Sequence, residues 1–111
     1  MELELLVVPN CPHEVEAIAA ARTAARQAGL GEVALRITVI DSDEQAQARG
    51  FAGSPTFLID GTDPFASRGA PIGMTCRIYS TKAGPAGVPD LERLRAALVR
   101  TCASRSNATD G

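Results

Sequence analysis

The segment Cys11-Pro12-His13-Glu14 holds the residues best suited to chemistry in this chain. It lies between a short apolar run and a long segment rich in Ala, Arg, Glu and Gln, so it joins a predicted strand to a predicted helix. At such a place the unpaired backbone N–H groups and the positive end of the helix dipole favour a thiolate. Because the thiolate is the nucleophilic form of cysteine, the sequence predicts Cys11 as a reactive thiol, with Pro12 at the first helical position.

Two ionisable neighbours modify that prediction. A protonated His13 would stabilise a thiolate at Cys11, whereas the carboxylate of Glu14 would disfavour a second negative charge. Glu14 could also transfer a proton beside Cys11, or it could simply be an acid of the first helical turn. Cys11 and His13 together supply two metal ligands, and a structural zinc site needs four, so we expect no metal site.

Hydrophobic periodicity and turn residues predict seven elements around this segment. The strands are expected over residues 3–8, 33–40, 56–59 and 76–80, and the helices over 12–28, 41–50 and 89–102. The first strand is apolar enough to be covered on both faces, the second is expected to be largely buried, and residues 62–75 form a long irregular loop. The prediction is an α/β domain over residues 1–103, with a central four-stranded mixed sheet flanked by helices in the order β-α-β-α-β-β-α. Residues 104–111 are expected to be a disordered tail.

A second segment, Ser54-Pro55-Thr56, opens the third strand. With Cys11-Pro12-His13-Glu14 after the first strand, it resembles the thioredoxin superfamily over roughly residues 3–101. In that superfamily a Cys-x-x-Cys motif faces a cis-proline across the fold, and the resemblance implies a cis bond before Pro55. It also implies a groove in which substrate contacts would come from Pro12, Ser54, Pro55, Thr56 and Gly84.

The chain departs from that pattern at Glu14, which stands where the second, resolving cysteine would be and cannot attack a mixed disulfide. The predicted function is therefore a thiol–disulfide oxidoreductase of monothiol type, in which Cys11 attacks a disulfide-containing protein or a small disulfide. An external small thiol, or otherwise Cys76, would resolve the intermediate. On a simple hairpin, however, Cys76 lies about 16 Å from the Pro55 end of the sheet, too far for a disulfide unless the loop 62–75 folds back.

Two alternatives from other functional classes remain open. One is a non-catalytic binding module that uses the loop 62–75 and the Pro55 segment to hold a protein partner. The other is capture of a soft metal or organometal by Cys11 with Cys76, for which the distance between the two sulfurs decides.

Composition and charge exclude several functional classes. The chain has 111 residues, 45% hydrophobic residues, a net charge of −2 and three cysteines, an odd number that argues against a closed set of disulfides. Basic residues do not exceed acidic ones, and no apolar run approaches the ~20 residues that span a bilayer, so we expect neither nucleic-acid nor membrane partners. With no leader-like segment in the sequence, a cytoplasmic protein without a cofactor is expected.

Overall fold

The chain is described by a computed structural model over residues 2–31, 33–66 and 69–110, with side chains described as far as residue 103. Its elements are β1 (Leu3–Val7), α1 (Glu14–Gln27), β2 (Leu35–Val39), α2 (Asp43–Arg49), β3 (Thr56–Ile59), β4 (Tyr79–Thr81), β5 (Gly84–Ala86) and α3 (Leu91–Asp110). The predicted elements as far as β3 are confirmed within two residues at most boundaries. Strand β5 was not predicted.

Strand β1 is the centre of a three-stranded mixed sheet with the order β2-β1-β3. It pairs parallel with β2, as the crossover through α1 requires, and antiparallel with β3. Strands β4 and β5 form a separate antiparallel pair, so the predicted four-stranded sheet is wrong. The physical reason is a tight reversal before Gly84, whose φ of +108° favours glycine, and which folds β4 onto β5 instead of onto β3.

The two faces of the sheet are covered by different helices, which confirms the prediction that β1 is buried on both faces. Leu3, Leu5 and Val7 pack with the alanine-rich side of α1 and with α3. Leu6 points the other way and packs with Phe51 and with a buried alanine of α2. Successive side chains of a strand alternate between faces, so one short apolar strand supplies both cores.

Strand β2 is more exposed than predicted. Ile37 and Val39 are 40% and 48% exposed, because β2 is an edge strand and has a neighbour on one side only. The apolar alternation over 33–40 could not distinguish an edge strand from a central one.

Helix α2 leads the chain into the candidate site. The side chain of Ser42 caps its N-terminus by accepting from the N–H of Gln45, and Gly50 ends it with a left-handed φ of +60°. Phe51 then inserts into the core, fully buried, and fixes the path of the chain towards Ser54.

At the other end of the chain, α3 extends to Asp110, beyond the predicted end of this helix at residue 102. The disordered tail at 104–111 stays a prediction, since the side chains of 104–110 and all of Gly111 lie outside the described residues. Within the part of the chain that is described, no helix is both long and apolar enough to cross a membrane.

Candidate functional site

Two successive tight turns hold Cys11 between β1 and α1. In the first, the Cys11 N–H donates to the Val8 carbonyl at 3.2 Å, and Asn10 takes the positive φ of 58° that such a turn needs at its third residue. In the second, the Glu14 N–H donates to the Cys11 carbonyl at 3.3 Å. The helix cap is His13, so Pro12 lies outside the helix and not at its first position as predicted. Cys11 therefore precedes the cap by two residues, where the helix dipole contributes less than predicted.

A buried serine hydroxyl touches the sulfur of Cys11. Ser54 is 1% exposed, and its Oγ donates a hydrogen bond to Cys11 Sγ at 3.0 Å. The same Oγ accepts from the Val8 N–H at 3.1 Å, so its own proton is directed at the sulfur. The contact therefore holds the sulfur of Cys11 in a defined position beside the Ser54 hydroxyl.

The peptide bond between Ser54 and Pro55 is cis, which confirms the prediction for Pro55. The Pro55 carbonyl accepts from the Tyr79 hydroxyl at 2.5 Å. Burial raises the pKa of Tyr79, so its hydroxyl keeps the proton that it donates. Tyr79 thereby ties the residue after Ser54 to strand β4.

The segment 75–77, which contains Cys76, runs directly beside Ser54. The Ser54 N–H donates to the Thr75 carbonyl at 2.8 Å, and the Arg77 N–H donates to the Ser54 carbonyl at 2.9 Å. These two bonds make a parallel bridge between Ser54 and Cys76. The predicted separation of about 16 Å is wrong, because Cys76 precedes β4 and belongs to the loop that folds back over the site. Both cysteines are free thiols, Cys11 half-buried and Cys76 exposed.

The same bridge changes the prediction for the substrate groove. Both backbone groups of Ser54 are bonded within the chain, and the carbonyl of Pro55 is bonded to Tyr79. Thr56 is 2% exposed, and its hydroxyl donates to the Gly53 carbonyl at 2.6 Å. The backbone groups of Ser54 and the carbonyl of Pro55 are thus already bonded within the chain, and substrate contacts at Ser54, Pro55 and Thr56 stay predictions.

Arg77, which the sequence analysis did not single out, fastens this segment in place. Its guanidinium pairs with Asp63 at 2.6 Å, donates to the Phe65 carbonyl at 2.8 Å and lies 4.8 Å from the centre of the Tyr79 ring. On its backbone side, a Cβ at Gly53 would lie 3.0 Å from the Arg77 Cβ, so glycine permits the close approach. The sequence held one sign of this role: Arg77 is a charged residue inside a segment predicted as a strand, and such a residue needs an acidic partner when it is buried.

The other predicted site residues lie at or just before the start of α1 and in β5. The His13 ring lies against Gly87, where a Cβ would come within 2.5 Å of it, and Nδ1 has no hydrogen-bond partner among the described residues. Glu14 is the first residue of α1, which agrees with the simpler alternative of a first-turn acid. Pro12 is exposed, and Gly84 begins β5. Catalytic roles for His13 and Glu14, and a substrate contact at Pro12 or Gly84, stay predictions.

A cleft of about 650 Å³ opens beside Cys76. Phe65, Pro71, Ile78 and Tyr79 contribute to its walls, and the lining does not include Cys11. A small molecule can therefore approach the Cys76 side of the site through this cleft.

Comparisons of the chain with models of protein families, with curated proteins and with solved structures found no match.

Proposed function

We propose that the protein is a thiol–disulfide oxidoreductase in which Cys11 is the nucleophile. The observation that carries this proposal is the hydroxyl of Ser54, buried and directed at Cys11 Sγ from 3.0 Å. A hydrogen bond to a charged group is worth about 1.5–3 kcal/mol, so losing this contact would weaken the stabilisation of the attacking sulfur. The thioredoxin-like order of Cys11 and cis-Pro55 is in keeping with this reaction class.

The reaction needs no group beyond two sulfur partners. The Cys11 thiolate attacks one sulfur of a disulfide, a new S–S bond forms, and the other sulfur leaves as a thiolate that takes a proton from solvent. The Ser54 hydroxyl keeps the attacking sulfur oriented before the reaction and releases it as the sulfur loses its charge. A second thiol then attacks the mixed disulfide and returns Cys11 to its thiolate form.

Replacing Ser54 by alanine should slow alkylation of Cys11 by iodoacetamide about tenfold near neutral pH, because the thiolate loses one charge-assisted hydrogen bond. The rate is measured by mass spectrometry on the tryptic peptide of residues 1–22, which contains Cys11 and neither of the other cysteines. In the native protein, Cys11 should react faster than in the urea-unfolded chain.

Ser80→Ala is the matched control, because Ser80 is exposed and its carbonyl, which accepts from Arg93, is kept in the variant. Ser54 Oγ also accepts from the Val8 N–H, so Ser54→Ala could lower stability as well. Thermal unfolding of both variants separates a change at the sulfur from a change in folding. Equal Cys11 rates in native, unfolded and Ser54→Ala protein would contradict the proposal.

A second candidate is capture of a soft metal or organometal ion by Cys11 and Cys76. The observation that favours it is the Ser54–Cys76 bridge, which places the backbone of Cys76 beside the residue that contacts Cys11. Soft thiolates select soft ions, and two sulfurs suffice for a linear complex. Equilibrium binding of Hg²⁺ to wild type and to Cys76→Ser, with Cys102 replaced in both, distinguishes a two-sulfur chelate from binding by Cys11 alone.

A further inference from the structure

Ser54 is a neighbour of both Cys11 and Cys76. It contacts Cys11 through its side chain and Cys76 through its backbone. Its Oγ lies 3.0 Å from Cys11 Sγ, and its backbone bonds form the bridge with Cys76. Partners in a strand bridge are separated by about 4.8 Å, and their side chains point to the same face. The backbone of Cys76 therefore lies about one strand spacing from Ser54, the residue whose side chain contacts the sulfur of Cys11.

We propose that Cys76 is the resolving thiol of Cys11, so that the chain supplies internally the second sulfur missing at Glu14. This inference rests on the proposed exchange activity and names how its intermediate is released. Cys102, the third cysteine, lies late in α3, and the bridge with Ser54 involves Cys76 alone among the three.

The resolving step balances within the chain and its substrate. Once Cys11 carries a mixed disulfide with a small thiol, the Cys76 thiol loses its proton to solvent and attacks Cys11 Sγ. The Cys11–Cys76 bond forms, and the small thiol leaves and is protonated. Two equivalents of an external thiol, which can reach Cys76 through the cleft beside it, reduce the bond and are themselves oxidised to a disulfide.

The surroundings of Cys76 permit the short movement that this step needs. Cys76 is exposed and lies before β4 in a segment that is neither helix nor strand apart from the bridge to Ser54. The next residue, Arg77, is held firmly by Asp63 and Phe65. The segment is thus anchored at one side of Cys76, which keeps the thiol near Cys11 without fixing its side chain.

Mass spectrometry of the full chain after a short exposure to oxidised glutathione tests the proposal. Trypsin leaves Cys11, Cys76 and Cys102 in separate peptides, residues 1–22, 69–77 and 101–105, so each product is identified by its peptides. Wild type should accumulate a link between the first two peptides. Cys76→Ser should accumulate glutathione on Cys11 instead. A tethered thiol acts at millimolar effective concentration, so with about 0.1 mM glutathione this adduct should last about ten times longer in Cys76→Ser than in wild type.

Cys102→Ser is the control and should behave as wild type. Glutathione that persists on Cys11 equally in wild type and in Cys76→Ser would overturn the role of Cys76 while leaving the exchange activity intact. No adduct on Cys11 in either protein would mean that the proposed activity itself is absent. Circular dichroism of each variant shows that it is folded before the comparison is made.

Discussion

Serine at position 11 is expected to reduce exchange with small disulfides about 100-fold or more, to the rate of the reaction without protein. The Cys11→Ser hydroxyl stays protonated near neutral pH, and a neutral hydroxyl does not attack a disulfide sulfur, so the nucleophile is lost. The substitution should leave the fold intact, because serine fits the space and can still meet the Ser54 hydroxyl. The measurement is reduction of 2-hydroxyethyl disulfide coupled to glutathione oxidation.

The matched control is Cys102→Ser, which removes a thiol from α3 and should retain the wild-type rate. If Cys11→Ser kept the wild-type rate and Cys76→Ser lost it, the nucleophile would be Cys76 and the proposal for Cys11 would be wrong. Full retention in both would contradict thiol–disulfide exchange by this pair.

Replacing Arg77 by leucine is expected to lower the free energy of unfolding by about 3 kcal/mol. The Arg77 and Asp63 side chains are 10% and 15% exposed, so Asp63 would keep a largely buried charge without its partner. The Phe65 carbonyl would lose a donor, and the ring of Tyr79 would lose its cation contact, in the same substitution. Urea denaturation followed by circular dichroism measures the change.

The double variant Asp63→Asn with Arg77→Leu separates the ion pair from the rest of this cluster. Because it leaves no buried charge behind, it should be less destabilised than the sum of the single variants, by about 1 kcal/mol or more. Additive effects would show that the pair contributes little. If Arg77→Leu had wild-type stability, Arg77 would not be the residue that holds the Cys76 segment in place.

The features that local sequence determines were predictable. The position of Cys11 after an apolar strand and the limits of β3 at Thr56 and Ile59 each follow from a few adjacent residues. The cis bond at Pro55 was predicted from the resemblance to the thioredoxin superfamily and is confirmed. The turn at Asp63-Pro64-Phe65 is equally local, since Asp63 accepts from the Phe65 N–H, and the Phe65 ring packs edge-on against Tyr79.

The features that depend on distant parts of the chain were not predictable in the same way. Whether Cys76 lies beside Ser54 depends on how the loop 62–75 returns, and that path is set by the contacts of Arg77 with Asp63 and the close approach at Gly53. A strand propensity over 76–80 carries no information about these partners. The separate β4–β5 pair was missed for another reason: its reversal before Gly84 is local, but strands of three residues are too short for an alternation pattern to reveal.

The order in which the three cysteines react tests the role of Cys11 most directly. Native protein is exposed to a limiting amount of a disulfide reagent, quenched in acid at successive times, and mapped by its three cysteine peptides. We expect Cys11 to be modified first although Cys76 is the more exposed thiol, because the Ser54 hydroxyl donates to the sulfur of Cys11 and orients it for attack. First modification of Cys76, in the order that exposure alone would give, would contradict the assignment of Cys11 as the nucleophile.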